Sequence, residues 1–199
     1  MFPDFLENPS DVAAPLLLGC TLTRTITLNG EKHKLVARIV ETEAYDQDDP
    51  ASHAFGGPSE RNAAMFGPAA HLYVYVSYGM HHCCNVVCGP EGFGSGCLMR
   101  AVEPLEGTAA MRELREAGHV RKHPLKLRDL TNGPGKVCAA LGIDKELYGH
   151  DLTVEPLVLE FAPLLPGETI GSSPRVGISK NIDAQKRFFI EGNEFVSRA

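Results

Sequence analysis

Two β-prone runs that flank Asn29-Gly30 are the sequence feature that most constrains the fold. Thr21 to Leu28 alternates threonine with apolar or long side chains, and a second run extends from Lys34 to Glu43. Asn-Gly between two such runs is the strongest short-range signal for a β-hairpin, because both residues accept the positive φ of a type I′ turn. The sequence therefore predicts an antiparallel strand pair near its start.

The rest of the chain mixes strand and helix patterns without strict alternation. Further strands are predicted over His71–Cys88 (bent near Gly79), Cys97–Glu103, Leu152–Phe161, Arg175–Ile178 and Phe188–Ile190. Helices are predicted from a Ser10 cap to Gly19, from a Thr108 cap to Ala117 with Gly118 as its end, and after Thr131 to Leu141, whereas 46–67 reads as a long loop. This mixture favours an α+β fold with a mainly antiparallel sheet, and 199 residues fit one domain over 1–199.

Composition and charge indicate a soluble globular chain. Hydrophobic residues make up 43% and charged residues 22% of the sequence, and the net charge is −6. The N-terminal residues lack the pattern of a signal peptide, and the apolar runs are too short to span a membrane, so we expect a cytoplasmic protein without a membrane partner. A basic stretch from Arg112 to Lys136 is either a phosphate-binding patch or a solvated surface. Its segment Gly133 to Lys136 is either a phosphate site at a helix start or an ordinary helix start.

A cluster of cysteine and histidine raises the question of a metal site. Cys83, Cys84, Cys88 and Cys97 follow His81 and His82. Structural zinc sites normally combine two ligand pairs, and only Cys84 and Cys88 have a suitable spacing. Adjacent cysteines in a strand also point to opposite faces. The pattern favours buried core thiols over a metal site, and a disulfide is disfavoured in a reducing cytoplasm. We predict neither a metal nor a cofactor.

Acidic and aromatic side chains supply the candidate chemistry. Glu41, Glu43 and Tyr45 share one face of a strand, which is either an exposed polar face or the lining of a cleft where a carboxylate activates water. His53, Tyr75 and Tyr78 add flat rings with polar tips. Such rings suit stacking on nucleobases, although alternation of tyrosine and valine is also typical of ordinary sheet packing.

Several ordered motifs together resemble one protein family. They are 38–45 (RIVETEAY), His53, Gly56-Gly57, Arg61-Asn62, Met65-Phe66, 72–75 (LYVY), 78–80 (YGM), Asn85, 98–107 (LMRAVEPLEG), 130–136 (LTNGPGK) and 175–178 (RVGI). With these motifs the chain closely resembles the alkyladenine (3-methyladenine) DNA glycosylases from about Leu16 to near its C-terminus. The departures are the run 81–84 and Phe55, which bear on strand packing and phosphate contact rather than on the chemistry.

The resemblance implies base-excision repair, in which a damaged purine is flipped out of duplex DNA and its glycosidic bond is hydrolysed. Expected substrates are 3-methyladenine and 7-methylguanine, with hypoxanthine and ethenoadenine as further candidates. It also implies a curved sheet with flanking helices and a protruding β-hairpin. The protein would act as a monomer, without a cofactor, on double-stranded DNA with damaged purines, in the nucleoid of a prokaryote or the nucleus of a eukaryote.

The resemblance assigns roles residue by residue. Glu43 is the expected general base, and Arg100 orients it and the water. The flipped purine would lie between Tyr45 and Tyr75, with His53 at its edge and Asn85 excluding guanine. Tyr78 would fill the gap left in the DNA stack. The residues expected at the DNA backbone are Arg61, Lys136 and Arg175, of which Arg175 could instead help to orient Glu43.

Two other classes of function stay open at the level of the sequence. A non-catalytic nucleic-acid or metal-binding module would use the cysteine and histidine cluster. A metal-dependent nuclease would use Glu41, Glu43, Asp46, Asp48 and Asp49, provided that these acids converge on paired ions.

Overall fold

A curved antiparallel sheet of eight strands organises the molecule. The computed structural model describes residues 4–117 and 123–198. The strands are β1 (Thr21–Leu28), β2 (Glu31–Asp46), β3 (Leu72–Ser77), β4 (His81–Val87), β5 (Ser95–Glu106), β6 (Leu157–Glu160), β7 (Ile170–Ser173) and β8 (Arg187–Ile190). They follow the order β3-β4-β5-β2-β1-β6, while β8 pairs with β2 and with β7. The predicted α+β fold with an antiparallel sheet is confirmed.

Strand β2 is long and bent, and it lies at the centre of this arrangement. Its first half pairs with β1 across the Asn29-Gly30 turn, where both residues have positive φ, as the sequence predicts. Its second half pairs with β5 on one edge and with β8 on the other. Irregular register at Ile39/Glu41 and Glu41/Thr42 bends the strand, because extra residues in a β-bulge increase its local twist. Glu41 and Glu43 therefore lie where the strand changes direction.

In the described part of the chain, three α-helices flank the sheet: α1 (Ser10–Leu16), α2 (Thr108–Glu116) and α3 (Pro134–Leu141). The two predicted serine and threonine caps are wrong. Pro9 precedes α1 and Gly107 precedes α2, Ser10 and Thr108 are already helical, and neither helix start has a side-chain cap. The expected end at Gly118 lies outside the described residues. In the described ranges, no helix combines the length and apolar character needed to cross a membrane.

The later strands correct three sequence expectations. The predicted strand 175–178 is wrong: it is a loop, in which Arg175 is buried against Asp49 and Gly177 has a φ of 76°. Of the predicted strand 152–161 only Leu157–Glu160 is a strand, since turns occupy the residues before it. Strand β7 was not predicted. Its Gly171 lies so close to Phe189 that a Cβ would come within 2.6 Å of that ring.

The six cysteines are buried free thiols, five of them in the main core between sheet and helices. The prediction of core thiols is confirmed. Among the described residues, no group of three histidine, cysteine, aspartate or glutamate side chains is placed to hold a metal ion. The glycine-rich start of α3 packs on β4, because a Cβ at Gly135 would lie 3.0 Å from the Cβ of His81.

Candidate active site

A cavity of about 590 Å³ opens between the β3–β4 hairpin, the bent part of β2 and the loop that follows β7. Every residue predicted to be catalytic, base-binding or intercalating lines it. These residues are Glu43, Tyr45, His53, Tyr75, Tyr78, Asn85 and Arg100. They come from four separate segments of the chain, so the fold assembles a group that is scattered in the sequence.

Glu43 is fully buried at the inner end of this cavity. Its Oε1 accepts a hydrogen bond of 2.8 Å from the backbone N–H of Val176 and lies 3.3 Å from Nη1 of Arg100. Its Oε2 accepts one of 2.9 Å from the hydroxyl of Tyr45. Burial raises the pKa of Glu43 above that of an ordinary glutamate, although Arg100 and the two hydrogen bonds act in the opposite direction. The arrangement holds a carboxylate of raised basicity in a fixed orientation.

Glu41 is equally buried but has a different environment. Its carboxylate accepts hydrogen bonds from Nε of Arg100 at 3.1 Å and from Nε of Arg187 at 2.6 Å. Ser197 adds two more, from its backbone N–H at 2.7 Å and from its hydroxyl at 2.8 Å. Glu41 does not belong to the cavity lining. The alternative of an exposed polar face for the two glutamates is thus wrong, and only Glu43 faces the cavity.

Stacked aromatic rings form one wall of the cavity. Tyr73 and Tyr75 stack with ring centroids 5.5 Å apart, and His53 packs edge-on against Tyr75 at 4.6 Å. Nδ1 of His53 lies 3.0 Å from the hydroxyl of Tyr73. Burial, followed by the charge of Arg61, lowers the pKa of His53, which favours the neutral ring at physiological pH. Tyr73 and Tyr75 therefore lie on the same face of β3.

Tyr45 presents one ring face to the protein interior. The guanidinium of Arg175 lies 4.5 Å from the centroid of this ring, in a cation–π contact. Since the ring also lines the cavity, its other face is available to a bound group.

Asn85 contributes an unpaired donor to the cavity. The residue is 4% exposed, and its Nδ2 has no hydrogen-bond partner among the described residues. A buried amide donor without a partner costs about 1–3 kcal/mol, so a bound molecule that accepts from it would be favoured by that amount.

The turn between β3 and β4 carries Tyr78 outward. Tyr78 and Gly79 have φ values of 50° and 69°, and the backbone N–H of Met80 donates to the carbonyl of Ser77, which closes a tight turn. Tyr78 is 85% exposed and Met80 75% exposed. The expected protruding hairpin is present, and Met80 is an exposed neighbour of the tyrosine that the sequence analysis did not single out.

The three residues expected at the DNA backbone lie outside the cavity lining. Arg61 is exposed at a neighbouring surface depression that also involves Lys145 and Tyr148. Lys136 is half-buried, and its Nζ donates to Oδ1 of Asn132 at 2.6 Å.

Arg175 is buried rather than exposed. Its Nη1 lies 2.7 Å from Oδ2 of Asp49 and donates to the carbonyl of Ala44. Burial alone would raise the pKa of Asp49, but hydrogen bonds from Arg175 and from the N–H of Ala51 lower it, so the pair is ionised. This position fits the other role expected for Arg175, which is to help orient Glu43. Arg175 anchors the loop directly before Val176, and the backbone N–H of Val176 donates to Glu43.

Sequence reasoning missed the loop 176–180 as part of the cavity wall. Val176, Gly177, Ile178, Ser179 and Lys180 all line the cavity. The motif 175–178, which includes the first three of these residues, was predicted to be a strand. Gly177 was the available signal for a loop. Arg187 and Ser197 were missed because nothing in their local sequence marks them as partners of Glu41.

The acids proposed for a metal-dependent nuclease do not converge. Asp46 accepts hydrogen bonds from the hydroxyl of Ser95 and the N–H of Ser10, and Asp49 binds Arg175. Asp48 is exposed to solvent. The donor set around Glu43 consists of an arginine, a phenol and a backbone N–H, which is unsuited to hold a divalent cation.

Comparison with known proteins agrees with this geometry. Residues 4–194 match the family model described as Methylpurine-DNA glycosylase (MPG). A relative from Nitrosospira multiformis is 46% identical over 98% of this chain and 92% of its own length. Relatives from Chlorobaculum parvum (47%, 98% of this chain and 88% of its own length) and Agrobacterium fabrum (49%, 80% and 77%) are similarly close. The names of all three place them among the 3-methyladenine DNA glycosylases. With its cavity, its buried glutamate and this match over nearly its whole length, the chain belongs to the methylpurine-DNA glycosylase family, whose members hydrolyse N-glycosyl bonds.

Proposed function

We propose that this protein removes 3-methyladenine and 7-methylguanine from double-stranded DNA, and that hypoxanthine and ethenoadenine are further substrates. The damaged nucleotide leaves the base stack and enters the cavity, where water replaces the base and an abasic site remains. The observation that carries this proposal is the buried, hydrogen-bonded carboxylate of Glu43 at the inner end of a cavity with aromatic walls.

Glu43 acts as the general base in this proposal. The carboxylate takes a proton from a water molecule that attacks C1′ of the sugar, and its charge stabilises the positive charge that develops there. Arg100 positions the carboxylate and the water from the other side. The cationic bases 3-methyladenine and 7-methylguanine leave as neutral molecules, so their release does not need a general acid, whereas a neutral base such as hypoxanthine takes up a proton as it leaves.

The cavity walls favour a flat, cationic ring. Tyr45 and Tyr75 contact the two faces of the purine, and His53 lies at its edge. Electron-rich rings attract a positively charged purine with about 0.5–2 kcal/mol each. The unpaired amide of Asn85 distinguishes adenine-type from guanine-type bases, since it lies among the cavity residues with a free donor.

The surface around the cavity contacts duplex DNA. Tyr78, exposed at the hairpin tip, enters the gap that the flipped nucleotide leaves. Arg61 and Lys136 bind phosphates beside the cavity, and Arg175 acts indirectly through the loop that holds Glu43. The enzyme acts as a monomer and a single domain. Its substrate places it at the chromosomal DNA.

The direct test is base release from duplexes that each carry one defined lesion. We expect free base and an intact abasic strand, with full activity in EDTA, and little release from undamaged DNA. The comparison of 7-methylguanine, hypoxanthine and ethenoadenine duplexes, together with methylated DNA as a source of 3-methyladenine, settles the substrate range. Absence of release from every lesion by the folded wild-type protein would overturn the proposal. Activity that is lost in EDTA would favour the nuclease instead.

A further inference from the structure

A buried hydrogen-bond network links Glu41 of β2 to Arg187 of β8 and to Ser197 in the segment after β8. We propose that Ser197, with Glu41 and Arg187, is a positioning unit that fixes Arg100 beside Glu43 before DNA binds. This inference rests on the proposed function of the same cavity. None of its three members lines the cavity, and none is expected to touch the substrate.

Arg100 is held through three of its atoms. Its Nε donates to Oε1 of Glu41 at 3.1 Å, and its Nη2 donates to the hydroxyl of Ser197 at 3.3 Å. Its Nη1 is left for Glu43, at 3.3 Å. Two of the three contacts that orient the guanidinium therefore come from groups outside the cavity.

Ser197 is fixed as firmly as the arginine that it orients. Its N–H donates to Oε2 of Glu41 and its hydroxyl donates to Oε1, so the serine binds both oxygens of this carboxylate. Its carbonyl accepts from Nη2 of Arg187 at 3.0 Å, and Nε of Arg187 donates to the same Glu41. The hydroxyl of Ser197 is thus at once a donor to Glu41 and an acceptor for Arg100.

This geometry has an electrostatic consequence for Glu43. Burial raises the pKa of Glu43, and the positive charge of Arg100 lowers it, so Arg100 limits the rise. An Arg100 that can rotate away gives up part of this effect, so the pKa of Glu43 rises further. Ser197 therefore influences the protonation of Glu43 without touching it.

Apart from Arg100 on β5, the titratable and charged groups around Glu43 do not change with Ser197. They are Glu41 and Tyr45 on β2, Tyr75 on β3, Cys83 on β4, Arg187 on β8, and Arg175 with Lys180 in the loop after β7. Removal of one neutral hydroxyl alters no charge in this set. A change in the titration of Glu43 therefore reports on the placement of Arg100.

A pair of serine variants tests the proposal. Ser197→Ala removes the hydroxyl between Glu41 and Arg100 and keeps the backbone N–H. Ser173→Ala is the matched control: its hydroxyl also accepts from Arg187, through Nη1 at 3.0 Å, but contacts neither Arg100 nor Glu41. Both variants lose one hydroxyl partner of the same network, so a general loss of stability affects both.

Two readouts follow from the geometry. In single-turnover base release, we expect Ser197→Ala to lower the maximal rate about ten-fold, as for the loss of one hydrogen bond to a charged group, with unchanged affinity for a duplex with an abasic-site analogue. Ser173→Ala should stay within about two-fold of wild type. In ¹³C NMR titrations of labelled glutamate carboxyls, the pKa of Glu43 should rise in Ser197→Ala and not in Ser173→Ala.

The NMR titration needs no activity, so it separates this inference from the proposed function. If the wild type releases no base, the proposed function fails, and the positioning unit is judged by the pKa of Glu43 alone. Equal rates and an equal Glu43 pKa in Ser197→Ala and wild type would overturn the positioning unit. The same loss in both serine variants would reduce the network to a stabilising element.

Discussion

At the scale of single residues, Glu43 carries the proposed chemistry, and Glu43→Gln tests it with little change in side-chain shape. Glutamine can keep the contacts with Tyr45 and the N–H of Val176 but cannot take a proton from water. We expect normal folding and normal binding of lesion DNA. Base release should fall by at least about 100-fold, the typical contribution of a general base. Single-turnover release and fluorescence anisotropy measure the two properties.

Glu41→Gln is the internal control for this variant. Glu41 accepts four hydrogen bonds, from Arg100, from Arg187 and from the N–H and hydroxyl of Ser197, and does not line the cavity. Its replacement should lower the free energy of unfolding and loosen Arg100, but it leaves the proposed general base in place. Per folded molecule, release should fall less than in Glu43→Gln. Abolished excision in Glu41→Gln with retained excision in Glu43→Gln would show that the base is assigned to the wrong carboxylate.

The pH dependence of excision should show the environment of Glu43. The reaction needs the carboxylate form, and burial raises the pKa of this group above the ordinary glutamate value. The rate should therefore fall as the pH drops through that raised pKa, while the protein is still folded by circular dichroism. The small residual rate of Glu43→Gln should lack this acid limb. A wild-type rate that stays constant down to the ordinary pKa of glutamate would contradict the raised value.

Asn85→Ser tests base selectivity. An amide near the C2 edge of the bound purine disfavours the exocyclic 2-amino group that guanine has and adenine lacks, and serine leaves space there. We expect the release of guanine-type bases to rise relative to adenine-type bases, measured on duplexes that carry 7-methylguanine and ethenoadenine. The same ratio in variant and wild type would argue that Asn85 only packs against the hairpin.

Several residues of the cavity were predictable from the sequence, whereas the partners of Glu41 behind it were not. Glu43 and Tyr45 stand in a motif, and their alternation in a strand places them on one face. The partners of Glu41 come from β5, β8 and the segment after it, and only the folded sheet brings these together. A buried glutamate with remote partners looks the same in a sequence as an exposed one.

At the scale of elements, the β3–β4 hairpin is the part proposed to enter DNA. Tyr78→Ala removes the ring at its tip, and Tyr78→Asn does so with a residue that tolerates the positive φ of this turn. Both should weaken binding to a duplex with a flipped base far more than binding to single-stranded DNA, which has no gap to fill. Anisotropy titrations with the two DNAs provide the measurement. Equal losses on both would make Tyr78 a packing residue of the turn.

Secondary-structure elements were predicted correctly where the backbone conformation depends on local residues. Asn29-Gly30 and Gly79 mark their turns correctly, because positive φ is a local property. The loop 175–178 was wrongly predicted as a strand, since apolar residues next to an arginine are typical of a strand when the buried partner of Arg175 is unknown. Strand β7 was missed because Gly171 lowers its strand signal, although the glycine is there to let Phe189 pack on it.

At the scale of the whole molecule, the sheet order could not be read from the sequence. The central β2 pairs with β1, β5 and β8, and two of these contacts join distant parts of the chain. The α+β class followed from the mixture of patterns, but the cavity depends on where the loop after β7 crosses the bend of β2. That crossing is set by long-range packing, so the fold class was predictable and the wall formed by 176–180 was not.

The whole-molecule arrangement also bears on how the sugar is attacked. A lyase would need an amine that forms a Schiff base with the sugar. The sequence has no lysine between Lys34 and Lys122, a gap that contains most of the expected site residues. The structure nevertheless brings one lysine to the cavity wall from a distant segment, Lys180 of the loop after β7. Among the described residues, Lys180 is therefore the amine to be tested against water as the nucleophile.

We expect water to be the nucleophile, because Glu43 lies buried and oriented in the cavity by its hydrogen bonds. Lys180 is exposed, and no described residue forms an ion pair or hydrogen bond with it that would activate its amine. Borohydride added during turnover should trap no covalent protein–DNA adduct, and strands should stay intact until base or heat is applied. Lys180→Gln should retain excision apart from weaker DNA binding. A trapped adduct that disappears in Lys180→Gln would instead make Lys180 the nucleophile and leave Glu43 a supporting role, since an amine that attacks the sugar removes the need for an activated water.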